Sequence, residues 1–165
     1  MAVAQTVYGS QSTMTITLNS LANTAGRVGT QIDFTDGGNK APQAIKVHIR
    51  FRTGSVAPTA GKTVQFYWAT GDENGTAHVD GGLATTDTSY TTASTPRSDY
   101  VRDQLQFAYA QPVQAGTATD YYVSFVVYSP GPRGSLFVYN DIGQTLDSTS
   151  GNFYVRYETL NVDVA

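Results

Sequence analysis

The residues from Ala44 to Arg52 leave this chain few choices of fold. Ile45, Val47, Ile49 and Phe51 alternate with Lys46, His48, Arg50 and Arg52, and a period of two places one set on the buried face of a strand and the other toward solvent. The pattern stops at Thr53–Gly61, which contains Pro58 and glycines at both ends of its reach, and returns as Val64, Phe66 and Trp68 against Thr63, Gln65 and Tyr67. Two strands joined by a Pro/Gly turn are therefore expected, with Trp68 on the core side.

The same grammar runs through the rest of the chain. Met14, Ile16 and Leu18 alternate with Thr13, Thr15 and Thr17, and Val28, Ile32 and Phe34 share a parity before the turn Asp36-Gly37-Gly38-Asn39. Gly71 to Asp99 has the Gly, Thr, Ser and Asp of a long loop, with room for a short strand around Leu83 or Tyr90. Val101, Leu105, Phe107 and Tyr109 read as one more strand stopped near Pro112. Tyr121 to Tyr128 is nearly continuously apolar, the pattern of a central strand covered on both faces or of one whose outer face meets another subunit. Leu136–Tyr139, Asn152–Tyr157 and Leu160–Val164 complete a set of about nine strands with no helical periodicity. Short strands separated by Gly/Pro turns predict an all-β antiparallel sandwich, jelly-roll-like, with an immunoglobulin-like sandwich as the alternative.

Residues 12–165 read as one such domain, preceded by an arm over residues 1–11. From Met1 to Gly26 there is no charged residue. Such a segment is either a floppy or self-docked terminus or an arm that lies on a neighbouring subunit, where uncharged groups pair without the desolvation cost of charges. A chain of 165 residues is long enough to bury a sizeable core. It has no cysteine, so disulfides, thiol nucleophiles and Cys-based zinc sites are excluded. No signal-peptide pattern or membrane-spanning apolar run is present, which leads to the expectation of a soluble protein made in a cytoplasm, with no membrane partner.

Candidate chemistry is sparse. The two histidines, His48 and His78, lack the neighbours of a triad or a metal site, since His48 lies between Lys46 and Arg50. Asp72, Asn74, Thr76 and Asp80 place oxygens at alternate positions, as a calcium loop does. Ala77 stands where that loop needs glycine, however, and Leu83 where it needs glutamate, so the segment reads as a solvated turn. There is no phosphate loop, nucleophile elbow or zinc-protease motif. Neither an enzyme, a cofactor nor a bound metal is expected.

Charge is more informative. Only 14% of residues are charged and the net charge is −3, which argues against nucleic acid as a partner. Between Gly37 and Gly71, however, Lys40, Lys46, Arg50, Arg52 and Lys62 occur without one acidic residue. Lys46, Arg50 and Arg52 share a strand face and form a basic stripe, suited to an acidic protein surface unless Asp99, Asp103 or Asp120 on neighbouring strands neutralises it. Among the aromatics, Tyr67, Tyr122 and Tyr128 fall on faces away from the core parity and are candidates for contact with protein or sugar.

The turn Thr53-Gly54-Ser55-Val56-Ala57-Pro58-Thr59-Ala60-Gly61-Lys62-Thr63-Val64, followed by an aromatic strand and a Gly/Asp loop, resembles small β-rich structural proteins of tailed bacteriophages, as does Tyr121–Tyr128. The likeness is to head decoration, or cement, proteins. It implies a virion protein, commonly a homotrimer, that sits outside an expanded capsid and clamps adjoining major capsid subunits, and it brings no catalytic residues. On that basis Val3, Thr6, Val7 and Tyr8 of the arm and Lys46, Arg50 and Arg52 of the stripe are expected at the capsid, and Tyr67, Tyr122 and Tyr128 at the subunit interface. The alternative is a carbohydrate- or receptor-binding β-sandwich module.

Overall fold

The structure, a computed structural model, describes residues 4–35, 41–71, 80–94 and 97–164. The described residues form eleven strands: β1 (Ala4–Tyr8), β2 (Ser12–Thr13), β3 (Gly26–Val28), β4 (Ile32–Asp33), β5 (Ala44–Arg52), β6 (Thr63–Gly71), β7 (Thr88–Tyr90), β8 (Gln106–Pro112), β9 (Asp120–Tyr128), β10 (Arg133–Asp141) and β11 (Tyr154–Val164). One helix of five residues, α1 (Ser98–Arg102), lies between β7 and β8. The first sheet runs β1-β11-β5-β9, with β2 also on β11, and the second runs β7-β3-β10-β6-β8, with β4 also on β10. Every pairing is antiparallel. From β5 onward the chain crosses between the sheets four times, at β5–β6, β8–β9, β9–β10 and β10–β11, so many neighbours in space are distant in sequence. This is the interleaving of a jelly roll, and the expected all-β sandwich is the fold observed.

The link between β5 and β6 is not a hairpin turn, because β5 belongs to the first sheet and β6 to the second. Thr53 begins the crossing. It is fully buried, its hydroxyl donates to Gly116 O at 3.0 Å, and the same oxygen accepts from Thr119 N at 2.9 Å. The crossing ends in a turn closed by Lys62 N donating to Thr59 O, in which Gly61 takes a φ of +80°, a conformation that favours glycine. The hydrophobic alternation specifies which face of each strand is buried and is silent on which sheet receives it.

The main core fills the space between the sheets. Ile45, Val47, Ile49 and Phe51 from β5 meet Val64, Phe66 and Trp68 from β6, with Leu136 and Val138 from β10. Each large side chain buried here contributes about 1.5–3 kcal/mol of transfer free energy. Phe51 stacks on Tyr121 at 5.0 Å between ring centroids, and Phe66 lies against Phe125 at 5.6 Å. Trp68 is 0% exposed, and its indole N–H donates to Pro130 O at 2.9 Å. The indole lies close over Gly134, where a Cβ would stand 2.3 Å from Cζ2.

A second core covers the other face of the second sheet. Tyr67, Ala69, Phe137, Tyr139 and Val28 project outward from that sheet and are buried beneath Leu83, Tyr90, Val101 and Leu105. The short strand expected near Tyr90 is β7, which pairs with β3. Val101 and Leu105 do not belong to a strand. Their spacing of four puts both on the inner side of α1 and the turn after it, and the period there is helical. Tyr67, expected at an outer surface, is only 8% exposed, and its hydroxyl donates to Gln65 Oε1 at 2.6 Å.

Two early segments also differ from a simple strand reading. Met14–Leu18 keeps its alternation in burial, yet its backbone bonds are split between β11 and the link from β3 to β4: Met14 N donates to Val155 O and Thr15 O accepts from Thr30 N. Val28–Phe34 splits into β3 and β4 because Gly29, Thr30 and Gln31 donate to Leu136 O, Thr15 O and Thr85 O in turn. Residues 4–8 of the arm pair as β1 with β11, Ala4 opposite Val164 and Tyr8 opposite Leu160.

Candidate interaction face

The two sheets end differently on the outside. Leu83, Tyr90, Val101 and Leu105 cover the outer face of the second sheet, whereas the outer face of the first sheet is not covered by any described segment. Strand register lays that face out in rows. Tyr128, Ala44, Leu160 and Tyr8 form the first row, across β9, β5, β11 and β1. Val126, Lys46 and Glu158 follow, then Ser124, His48 and Arg156, then Tyr122, Arg50 and Tyr154, and finally Asp120 and Arg52.

The ends of the face are aromatic. Tyr8, Tyr122 and Tyr128 are 61%, 67% and 70% exposed, an unusual level for three rings on one sheet face. Beside Tyr128 lies a shallow hollow of about 270 Å³ lined by Thr6, Gln43, Ala44, Val126, Leu160 and Asn161. Val7 is also exposed but its parity turns it to the opposite side of β1.

The middle is polar and internally paired. Arg50 bonds Asp120 through Nη2 at 3.1 Å, and its guanidinium lies 5.8 Å from the Tyr122 ring centre. Arg52 Nε donates to Ala118 O at 2.9 Å. His48 Nδ1 is 2.8 Å from Ser124 Oγ. Its Nε2 stands 3.4 Å from Glu158 Oε1, an ion pair only when the ring is protonated and short of hydrogen-bond geometry. Arg156 donates to Gln11 Oε1 at 3.1 Å and lies 5.0 Å over the Tyr154 ring. The stripe Lys46, Arg50, Arg52 does occupy one face. Of the three suggested counterions, Asp120 partners Arg50, whereas Asp99 and Asp103 pair with Arg97 and Arg102, away from the stripe. Exposed ion pairs of this kind contribute little to stability, and here they leave a face of mixed charge rather than a cationic one.

Other expected site residues fall elsewhere. Val3 and residues 72–79, including His78 and most of the calcium-like segment, lie outside the described residues. Asp80, at the end of that segment, accepts from Thr70 N at 3.2 Å. Tyr67 is part of the second core and is not available for subunit contact. The sequence reading missed Val126, Tyr154 and Leu160, which share the face. The available signal was their two-residue parity with Tyr128 on β9 and with Arg156 and Glu158 on β11.

The shifted carboxylates are all held ionised. Arg133 hydrogen-bonds Asp33 through Nε at 2.8 Å and Thr35 adds two more donors, which lowers the Asp33 pKa from 3.8 to about 2. Burial pushes Asp87 up, but hydrogen bonds from Arg27 and Thr17 outweigh it and the net shift is downward. Thr149 N lowers Asp147. A general acid needs the opposite shift. Another depression on the surface, about 310 Å³ beside Gly54, Val56 and Thr145, also includes Asp147, whose carboxylate is engaged by Thr149 and Asn152.

No family model, curated protein or solved structure matches this chain.

Proposed function

We propose that the chain is a non-enzymatic virion structural protein, a decoration protein that docks the outer face of its first sheet onto the outside of a capsid and bridges major capsid subunits. The observation that carries this reading is the asymmetry of the sandwich. One outer face is covered by the chain's own Leu83, Tyr90, Val101 and Leu105, and among the described residues the other is left open with Tyr8, Tyr122 and Tyr128 exposed around a paired polar centre. Aromatic anchors around hydrogen-bonding groups suit a protein interface better than they suit open water. The likeness of Thr53–Val64 and Tyr121–Tyr128 to decoration proteins supplies the capsid as partner. Repetition of one modest interface over many sites would give the shell its reinforcement.

Co-sedimentation of the purified chain with expanded phage heads tests this. The double variant Tyr8→Ala/Lys46→Glu changes an exposed position on β1 and a half-buried one on β5 and should weaken binding by about tenfold or more, against a loss of about 1 kcal/mol or less in stability from the new carboxylate facing Glu158. Undiminished binding by that variant would rule out the face as the docking surface.

The exposed tyrosines also favour a second reading, stacking of sugar rings as in a carbohydrate-binding module. Because Trp68 is buried, glycans would perturb tyrosine signals and leave tryptophan emission unchanged. Glycan binding that disappears in Tyr122→Ala and Tyr128→Ala, without capsid binding, would favour this reading.

A further inference from the structure

The free edge of β9 is the most exposed opportunity for pairing in the fold. β9 pairs with β5 on one side and, among the described residues, with no strand on the other. Thr53 N donates to Thr119 O and Ser129 N to Gln43 O, at the two ends of the β5–β9 ladder. In an antiparallel ladder the hydrogen-bonded pairs alternate, so the odd-numbered residues of β9 turn their backbone groups toward β5. Tyr122, Ser124, Val126 and Tyr128 therefore turn theirs to the open edge.

Other edges of the sandwich are blunted. β8 carries Pro112 and a register shift opposite Phe66/Tyr67, β7 is three residues long, and β1 is five. Shortness, proline and bulges are the devices that keep sheet edges from pairing. β9 is nine residues long, contains no lysine, proline or glycine, and its register with β5 is unbroken. An edge of this kind is left unguarded where a partner covers it.

We propose that the partner is a second copy of this chain, joined β9 to β9 in antiparallel fashion across a two-fold axis near Phe125. In that register Tyr122 faces Tyr128 of the second copy and Ser124 faces its Val126. Each of the resulting four pairs exchanges two backbone hydrogen bonds, and together they make the first sheet continuous through both molecules. The outward sequence Tyr, Ser, Val, Tyr has its aromatics at both ends, so the strand complements itself when reversed. Charge allows the match: Asp120 is the one charged residue of β9, lies outside the paired span and is held by Arg50. Such pairing closes at two copies and uses the backbone edge rather than the docking face, so it can fail or hold without the capsid reading.

Sedimentation equilibrium of the purified chain over micromolar to high-micromolar concentration should show a monomer–dimer equilibrium. Hydrogen exchange at the amides of Tyr122, Ser124, Val126 and Tyr128 should slow as dimer forms. Ser124→Glu/Val126→Glu places like charges opposite each other across the axis, while the new carboxylate at position 126 faces Lys46 within its own chain; it should shift dissociation at least tenfold toward monomer. Ser124→Lys/Val126→Lys should do the same alone, and an equimolar mixture of the two variants should recover dimer. A wild-type chain that stays monomeric throughout, a trimer, or a dimer indifferent to both charge variants would overturn the proposal.

Discussion

Replacing Gly134 with alanine asks one methyl group to occupy space that the Trp68 indole already fills. The new Cβ would lie 2.3, 2.5 and 2.7 Å from Cζ2, Cε2 and Nε1 of the ring, against a carbon–carbon optimum of about 3.5–4.0 Å. The ring must retreat by about 1 Å or more, in a core where Trp68 is fully buried. Overpacking of this kind costs about 1–3 kcal/mol. Retreat also strains the indole hydrogen bond to Pro130 O, whose loss leaves a buried donor and a further cost of about 1–3 kcal/mol. Alanine returns about 0.5–1 kcal/mol through the smaller entropy of its unfolded chain. A net loss of about 2–4 kcal/mol is expected, or about 4–16 °C in Tm for a domain of this size. Urea melts followed by far-ultraviolet circular dichroism measure it. Trp68→Leu has no atoms where the methyl collides, so Gly134→Ala in that background should cost less than about 1 kcal/mol. A neutral Gly134→Ala, or the same loss in both backgrounds, would refute the packing described for β6 and β10.

Acid should weaken the fold in a defined window. Asp33 is held at about 2 against 3.8, so its stabilisation is complete above about pH 4 and is lost as pH falls toward 2; Asp87 and Asp147 act in the same direction. Asp33→Asn should show a shallower decline in Tm over that range, and curves of identical slope would contradict the assignment. Asn140 is fully buried, donates to Leu21 O and Gln144 O at 2.8 Å and accepts from Ile142 N at 3.2 Å. Asn140→Ala leaves those backbone groups without a partner and should cost about 3–5 kcal/mol in denaturant titrations. A loss below about 1 kcal/mol would show that they find other partners.

Periodicity made the core legible. Ile45 to Phe51 and Val64 to Trp68 lie where alternation puts them, because a half-buried strand must present one apolar side. Sheet membership was not legible. β5 and β6 are adjacent in sequence and sit in different sheets, since the link that separates them is stabilised by Thr119, Gly116 and Leu146 far along the chain. The apolar run Tyr121–Tyr128 looks central by composition and lies at an edge, where Tyr122 and Tyr128 stand exposed and Val126 is only half-buried. Tyr67 fails in the opposite sense: its parity faces outward from the sandwich, but α1 and the segment around Leu83 build a second core over it. Val101 and Leu105 fit a period of two and of four alike, and the packing of that second core selects the helix. The basic stripe was visible, and the pairing of its Arg50 with Asp120 depends on β9 lying beside β5, which only the sheet order reveals.

That this chain works by being built into a shell is tested most directly by quantitative mass spectrometry of purified phage particles, with copy number taken relative to the major capsid protein. A fixed, high ratio that falls when Tyr8 and Lys46 are replaced is the expected result. Particles that lack the chain, or carry only a few copies each, would contradict it.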